Sequence, residues 1–350
     1  MFRTLIASLS IALAGAASAA DLATSAGRVT VTEMASGLRG PWSIAFLPGG
    51  GFLLTEIDGR LWRYEAAGRR TEVAGVPEVR ATGQGGLLDV MLPRDFERSR
   101  EVFLSFAKPQ GRGEGTALAK GRLSADGTRL EGVEVIFEMA EGSAGGRHFG
   151  SRIVEGADGM IYLTIGDRGD RPSAQDLSRE SGSVIRVARD GTVPADNPFV
   201  GQAGAQPEIW SYGHRNPQGA TLDAEGRLWA VEHGARGGDE INLIGRGLNY
   251  GWPVISYGRH YSGARIGEGT EKPGMEQPVF YWDPSIAPSG FMIYSGALWP
   301  EWEGDFFIGS LKFGFLSRLE RQGDRLVEAE RIEGEVTGRV RDIREAPDGS

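Results

Sequence analysis

Four histidines occur in the chain, His148, His214, His233 and His260, and one of them has a setting suited to proton chemistry. His148 lies in GGRHFGSRIV, after a glycine-rich loop and before an apolar run. Asp167 closes the following run, MIYLTIGD. One strand with its turn returns the chain to the same end of a sheet, so Asp167 could orient the His148 imidazole and stabilise its protonated form. The plainer alternatives are a solvated loop histidine and an aspartate that only builds a turn.

Positive charge is concentrated on arginine, since lysine occurs only at 108, 120, 272 and 312. WSYGHRNPQG places Arg215 and Asn216 together, a rigid donor fork beside a donor and acceptor, suited to carboxylate or phosphate. GRVRDI sets Arg339 and Arg341 two apart, hence on one face of a strand. With Lys312 in GSLKFG, these cations would suit a small polyanion if the fold gathers them; otherwise they are separate surface charges. The segment EHGARGGDEINLIGRGLNYGWP offers Asp239, Glu240 and Asn242 as hard oxygen ligands for Ca²⁺, although its spacing is not that of an EF-hand and turn-building carboxylates are the alternative. No P-loop, no H-E-x-x-H and no strand-to-helix G-x-G-x-x-G is present, which disfavours nucleotide and nicotinamide cofactors.

The elements that must hold these residues are strands. Of 350 residues 54 are Gly, yet without a three-residue period, and 40% are hydrophobic, so collagen and disorder are excluded. Short apolar runs such as WSIAF, FLLTEI, VFLSFA, MIYLTI, RLWAVE and FFIGSL alternate with turns at Gly49-Gly50, Asp158-Gly159, Glu225-Gly226 and Asp348-Gly349. This repeat predicts an all-β fold, a β-propeller, and dividing the length by about 50 residues per blade gives roughly six blades. Because the Asp348-Gly349 turn is not followed by a strand, the last blade is expected to be truncated. Residues 1–20 carry Arg3, an apolar run and small residues, the layout of a secretory signal cut near Ala19 to Asp21; residues 21–350 then form a single propeller domain, periplasmic or secreted. The net charge of −9 and the lack of a basic stripe argue against nucleic acid. The absence of Cys removes disulfides, thiolate metal sites and covalently attached haem.

Six phrases in order, GQGGLLDVMLPRDF, RHFGSRIVEGADGMIYLTIGD, GHRNPQG, GGDEINLIGRGLNYGWP, GSLKFG and RVRDI, resemble the soluble aldose sugar dehydrogenases of the glucose/sorbosone dehydrogenase family. The resemblance runs from about Leu38 onward and implies a six-bladed propeller that uses pyrroloquinoline quinone and Ca²⁺. By matching position it implies His148 as general base with Asp167 as its partner. It implies Gln84, Arg215, Asn216, Tyr261, Lys312, Arg339 and Arg341 as cofactor contacts. The carbonyls of Gly234 and Ala235 match ligands of the catalytic calcium, and Glu240 with the carbonyl of Tyr250 match a second, structural calcium site. The expected reaction is oxidation of an aldose at C1 to the lactone, with electrons passing to an external acceptor. Arg147 stands where the glucose-specific relatives carry an acid, and the loops look shorter, which favours a broader aldose range. A calcium-dependent propeller lactonase and a non-catalytic sugar-binding propeller are the competing expectations, and neither has a use for the Lys312, Arg339 and Arg341 set. Whether the protein is a monomer or a homodimer is left open by the sequence.

Overall fold

The computed structural model describes residues 19–350, apart from residues 67, 112 and 324. The signal expected at residues 1–20 lies outside them, except for its last two residues, which open the first strand. That strand, β1 (Ala19–Thr24), forms an antiparallel hairpin with β2 (Gly27–Thr32). Five four-stranded antiparallel sheets follow. The first holds β3 (Pro41–Phe46), β4 (Phe52–Glu56), β5 (Arg60–Tyr64) and β6 (Arg70–Glu72); the second holds β7 (Leu87–Met91), β8 (Glu101–Gln110), β9 (Gly113–Leu123) and β10 (Leu130–Glu138). The third comprises β11 (Ile153–Glu155), β12 (Ile161–Thr164), β13 (Ser183–Val187) and β14 (Ile209–Tyr212), and the fourth β15 (Pro217–Leu222), β16 (Leu228–Glu232), β17 (Asp239–Leu243) and β18 (Phe280–Trp282). The fifth consists of β19 (Pro288–Ile293), β20 (Phe306–Ser310), β21 (Leu316–Gln322) and β22 (Arg325–Ile332).

The all-β propeller class is as the sequence predicts, but the described residues form five blades and not six. Counting blades by length fails because long insertions interrupt the pattern, at 188–208 between β13 and β14 and at 244–279 between β17 and β18. The fifth sheet has all four strands, and the terminal segment, where a truncated blade is expected, runs beside it. Gly290 N–H donates to the Arg341 carbonyl at 3.1 Å, and the Ser289 hydroxyl donates to the Val340 carbonyl at 2.7 Å.

Strands β3, β7, β11, β15 and β19 stand around the central axis, each packed on its neighbour in sequence order. Second strands such as FLLTE, IYLT, LWAVE and FFIGS are buried on both faces, which is why they read as near-continuous apolar runs. Leu53, Leu61, Leu104 and Phe106 fill the space between the first two sheets, and Trp229, Val231, Phe291 and Phe306 that between the last two. Each such buried side chain contributes about 1.5–3 kcal/mol. Leu22 of β1 packs with Tyr294, Trp302 and Phe307, so the leading hairpin covers the fifth sheet.

A buried ion network ties the axis together. Arg152, one residue before β11, reaches Asp89 of β7 at 2.8 Å and Asp342 of the terminal segment at 3.1 Å. Arg344 reaches both aspartates, at 3.0 and 3.1 Å, and Ile44 N–H of β3 donates to Asp342 at 3.2 Å. Residues 339–344 are thereby fixed between β19 and β3, where they carry two of the expected cofactor contacts.

Candidate active site

The strand pair β11–β12 brings His148 and Asp167 together, because His148 precedes β11 and Asp167 follows β12 on the same end of the sheet. The two approach to 2.6 Å between Nδ1 and Oδ1. Gly169 N–H also donates to Oδ1, at 2.7 Å, and the Trp252 indole N–H donates to Oδ2 at 2.8 Å. The Asp167 side chain is fully buried. Burial pushes its carboxyl up, but the His148 and Gly169 hydrogen bonds and the nearby Arg215 outweigh this and hold it below the usual carboxylate range. Asp167 is therefore ionised and accepts the Nδ1–H, which leaves the His148 Nε2 lone pair free.

Burial is the largest influence on His148 and lowers its pKa below 6.5, helped by the positive charge of Arg215 and opposed by Asp167. The imidazole is neutral at pH 7 and ready to accept a proton. Its backbone is in the left-handed region, φ +53°, an uncommon conformation for a side-chain-bearing residue. Two contacts hold it there. His148 N–H donates to the Gln84 amide oxygen at 2.8 Å, and Gly166 packs so closely that a Cβ there would lie 2.2 Å from the His148 carbonyl oxygen.

Beside this pair opens a cavity of about 870 Å³. Of the expected contacts, Gln84, Asn216, Ala235, Tyr261, Lys312, Arg339 and Arg341 line it; Phe149, next to His148, lines it as well. Lys312 donates to the Ser285 carbonyl at 3.3 Å, Arg339 to the Leu311 carbonyl at 3.0 Å and Arg341 to the Gln218 amide oxygen at 2.9 Å. These bonds aim the cations without neutralising them, and among the described residues none of the three has a carboxylate within 4 Å. Burial pushes the Arg341 guanidinium down to about 10, still fully charged at neutral pH. Arg215 sits deeper, with Nη1 donating to the His233 carbonyl at 3.3 Å and its buried Nε lacking a hydrogen-bond partner. Trp252 lies against the guanidinium of Arg215, whose centre is 5.3 Å from the ring centroid.

A profile described as Glucose / Sorbosone dehydrogenase matches residues 38–350. The chain belongs to the glucose/sorbosone dehydrogenase family. The family resemblance carried by the six phrases holds, and with it the reading as a dehydrogenase. Aldose sugar dehydrogenase YliI of Escherichia coli (strain K12) is 42% identical over 327 residues, covering 92% of this chain and 88% of the relative. A crystal structure of a glucose dehydrogenase is 46% identical with a TM-score of 0.88, covering 91% of this chain and 93% of that one. The PQQ-bound form of an aldose sugar dehydrogenase from Streptomyces coelicolor is 30% identical with a TM-score of 0.75, covering 90% and 87%.

The remaining expected ligands of this family member fall on β17 and on the loops before and after it. Strand alternation separates the acidic side chains of DEINL. Asp239 faces the loop before β19 and accepts from Gly234 N–H, the Ser285 hydroxyl, Ile286 N–H and Ala287 N–H at 2.7–3.0 Å, so it locks that loop. Glu240 points the other way, into a small void of about 10 Å³ shared with Glu232, Gly234, Tyr250 and Trp252. Burial, reinforced by the charge of Glu232, holds its carboxyl well above the usual range. The Asn242 amide donates to both carboxylates, at 3.1 and 3.3 Å, while its own buried oxygen has no partner. Among the described residues no cluster of three or more Asp, Glu or His is arranged as a metal site, so any ion here would take part of its shell from carbonyls.

Sequence reasoning passed over Trp252, His233, Arg171 and Gln218. Trp252 buttresses Asp167, Arg215 and, at 5.4 Å, Arg171; His233 lines the cavity and bonds the Pro288 carbonyl at 2.6 Å. Their role rests on contacts between blades, for which a single sequence carries no signal. No helix of the described residues is long and apolar enough to cross a membrane.

Proposed function

We propose that this chain is a quinoprotein that oxidises aldoses at C1 to the lactone, with His148 as general base. The observation that carries the reading is a neutral, carboxylate-oriented imidazole beside a cavity whose Lys312, Arg339 and Arg341 lack carboxylate partners. The donor set fits pyrroloquinoline quinone, a planar molecule with three carboxylates: Arg215, Lys312, Arg339 and Arg341 would hold the carboxylates, with Gln84, Asn216 and Tyr261 around them. The orphaned Nε of buried Arg215 is a donor in want of such an acceptor. The carbonyls of Gly234 and Ala235, which take no hydrogen bond from any described donor, would ligate Ca²⁺ at the quinone. Glu240 and the Tyr250 carbonyl would hold a second Ca²⁺, for which the two converging carboxylates and the unpartnered Asn242 oxygen are suitable. When bound, quinone and Ca²⁺ supply a hydride acceptor assisted by a Lewis acid.

The chain supplies proton transfer. His148 Nε2 takes the proton of the sugar C1 hydroxyl as the C1–H departs as hydride, and Asp167 stabilises the imidazolium that results. Trp252 and Gly169 keep Asp167 from rotating. The two electrons leave to an external acceptor, and the N-terminal pattern supports action outside the cytoplasm. Apoprotein mixed with Ca²⁺ and pyrroloquinoline quinone, then with glucose and a redox dye, is expected to reduce the dye and to retain cofactor absorbance through desalting. Absence of both would overturn the reading.

A further inference from the structure

Two more arginines line the cavity, Arg236 and Arg259, and neither is needed for the three carboxylates of the cofactor. The lining holds five cations, Arg236, Arg259, Lys312, Arg339 and Arg341, against one carboxylate, Asp283. Three negative charges on the quinone leave that lining net positive, before Arg215 behind it or any Ca²⁺ is counted. Arg236 directly follows Ala235, and its backbone N–H donates to the Arg259 carbonyl at 3.1 Å, so the two side chains spring from one pinned site on the wall. Among the described residues neither guanidinium has a hydrogen bond or an ion pair. Most arginines of this acidic chain do pair with carboxylates, as Arg60, Arg69, Arg189 and Arg227 show. Arg147, beside His148, and Arg171, which bonds His260 at 2.6 Å, are also without a carboxylate within 4 Å. The mouth of this site is thus kept positive in a protein whose net charge is −9.

We infer that Arg236 and Arg259 form a subsite for an anionic group on the substrate, so that the preferred aldoses carry a carboxylate or phosphate at the end remote from C1. The inference rests on the proposed function, since it places C1 at His148. A small anion fits the pair, because Arg236 and Arg259, though exposed, line the same cavity that holds the cofactor contacts. Asp283 opposes the effect, but its carboxylate packs against Gly237, where an added Cβ would lie 2.3 Å from Oδ1. A guanidinium pair of this exposure lowers KM for an anionic ligand by about fivefold or more, and salt screens the gain.

The test uses holoenzyme loaded with Ca²⁺ and pyrroloquinoline quinone, with glucose, glucuronate and glucose 6-phosphate as substrates at low and high ionic strength. Equilibrium binding of glucarate, which carries a carboxylate at the end remote from C1 but no oxidisable C1, is measured by calorimetry alongside. Expected are a lower KM for at least one anionic aldose, a rise of that KM with salt, and loss of both in R236Q/R259Q with glucose kinetics retained. Preference for glucuronate alone assigns a carboxylate site, and for glucose 6-phosphate alone a phosphate site. Equal KM values for all three substrates, or a preference unchanged in the double variant, overturns the subsite while leaving the glucose activity standing. Failure to oxidise any aldose, by contrast, overturns the proposed function itself.

Discussion

Replacing Asp167 by Asn isolates the part that the carboxylate plays. Asp167 accepts from three buried donors, His148 Nδ1–H at 2.6 Å, Gly169 N–H at 2.7 Å and Trp252 Nε1–H at 2.8 Å. An asparagine has one acceptor oxygen for these three. If that oxygen faces His148 and Gly169, the amide NH₂ confronts the Trp252 N–H and leaves a buried donor unsatisfied, which costs about 1–3 kcal/mol. If the amide flips, its NH₂ faces Nδ1 and forces the proton onto Nε2, where it blocks the base. In either arrangement the imidazolium loses a charged partner worth about 1.5–3 kcal/mol. About 3 kcal/mol on the barrier corresponds to roughly a hundredfold loss of kcat, and the tautomer penalty carries the expected loss towards a thousandfold. Because Asp167 does not line the cavity, cofactor affinity and sugar KM should change less than about threefold. The assay is dye reduction at saturating cofactor, with retained cofactor absorbance as the control for folding. A variant with cofactor bound and kcat within about threefold of the parent would falsify the assignment.

Other consequences follow from the same geometry. The rate kcat/KM should rise with pH through a limb whose midpoint lies below about pH 6.5, because burial lowers the His148 pKa from that value; a limb centred above pH 7 would contradict the neutral-imidazole argument. The same shift means that the unfolded chain takes up this proton first, so the stability contributed by burying neutral His148 is present above about pH 6.5 and is lost as pH falls below it. Lys312→Ala should raise the cofactor concentration for half-saturation by about tenfold with kcat nearly unchanged, read by titrating apoprotein. Gly166→Ala should lower kcat and thermal stability together, because the added methyl would meet the His148 carbonyl at 2.2 Å; normal kcat in that variant would mean that the close approach is not needed. Arg152→Met should destabilise the fold by about 3 kcal/mol in denaturant unfolding, since it leaves the buried carboxylates of Asp89 and Asp342 to share the single guanidinium of Arg344.

What was legible in the sequence followed local rules. Alternating apolar runs and glycine turns gave the all-β propeller, since strand periodicity is written residue by residue. His148 and Asp167 could be paired because a single hairpin, β11 and β12, separates them, and Arg339 with Arg341 because residues two apart share a face. The blade count was not legible, for insertions such as 244–279 lengthen a blade without adding strands. The role of Asp239 was not legible either, because composition placed it with Glu240 and Asn242, whereas strand alternation turns it to the opposite side, onto four backbone and hydroxyl donors.

By itself, then, the sequence determined the class of fold, the family and the residue types available for proton transfer and anion binding, because each depends on neighbours close along the chain. Only the tertiary structure decided that His148 is neutral, that Trp252 from the fourth blade buttresses Asp167 from the third, and that Arg236 and Arg259 join the cavity with no carboxylate of the described residues within 4 Å. Those properties arise from burial and from contacts between sheets, and burial and distance between charges are what set a pKa or leave a cation unpaired.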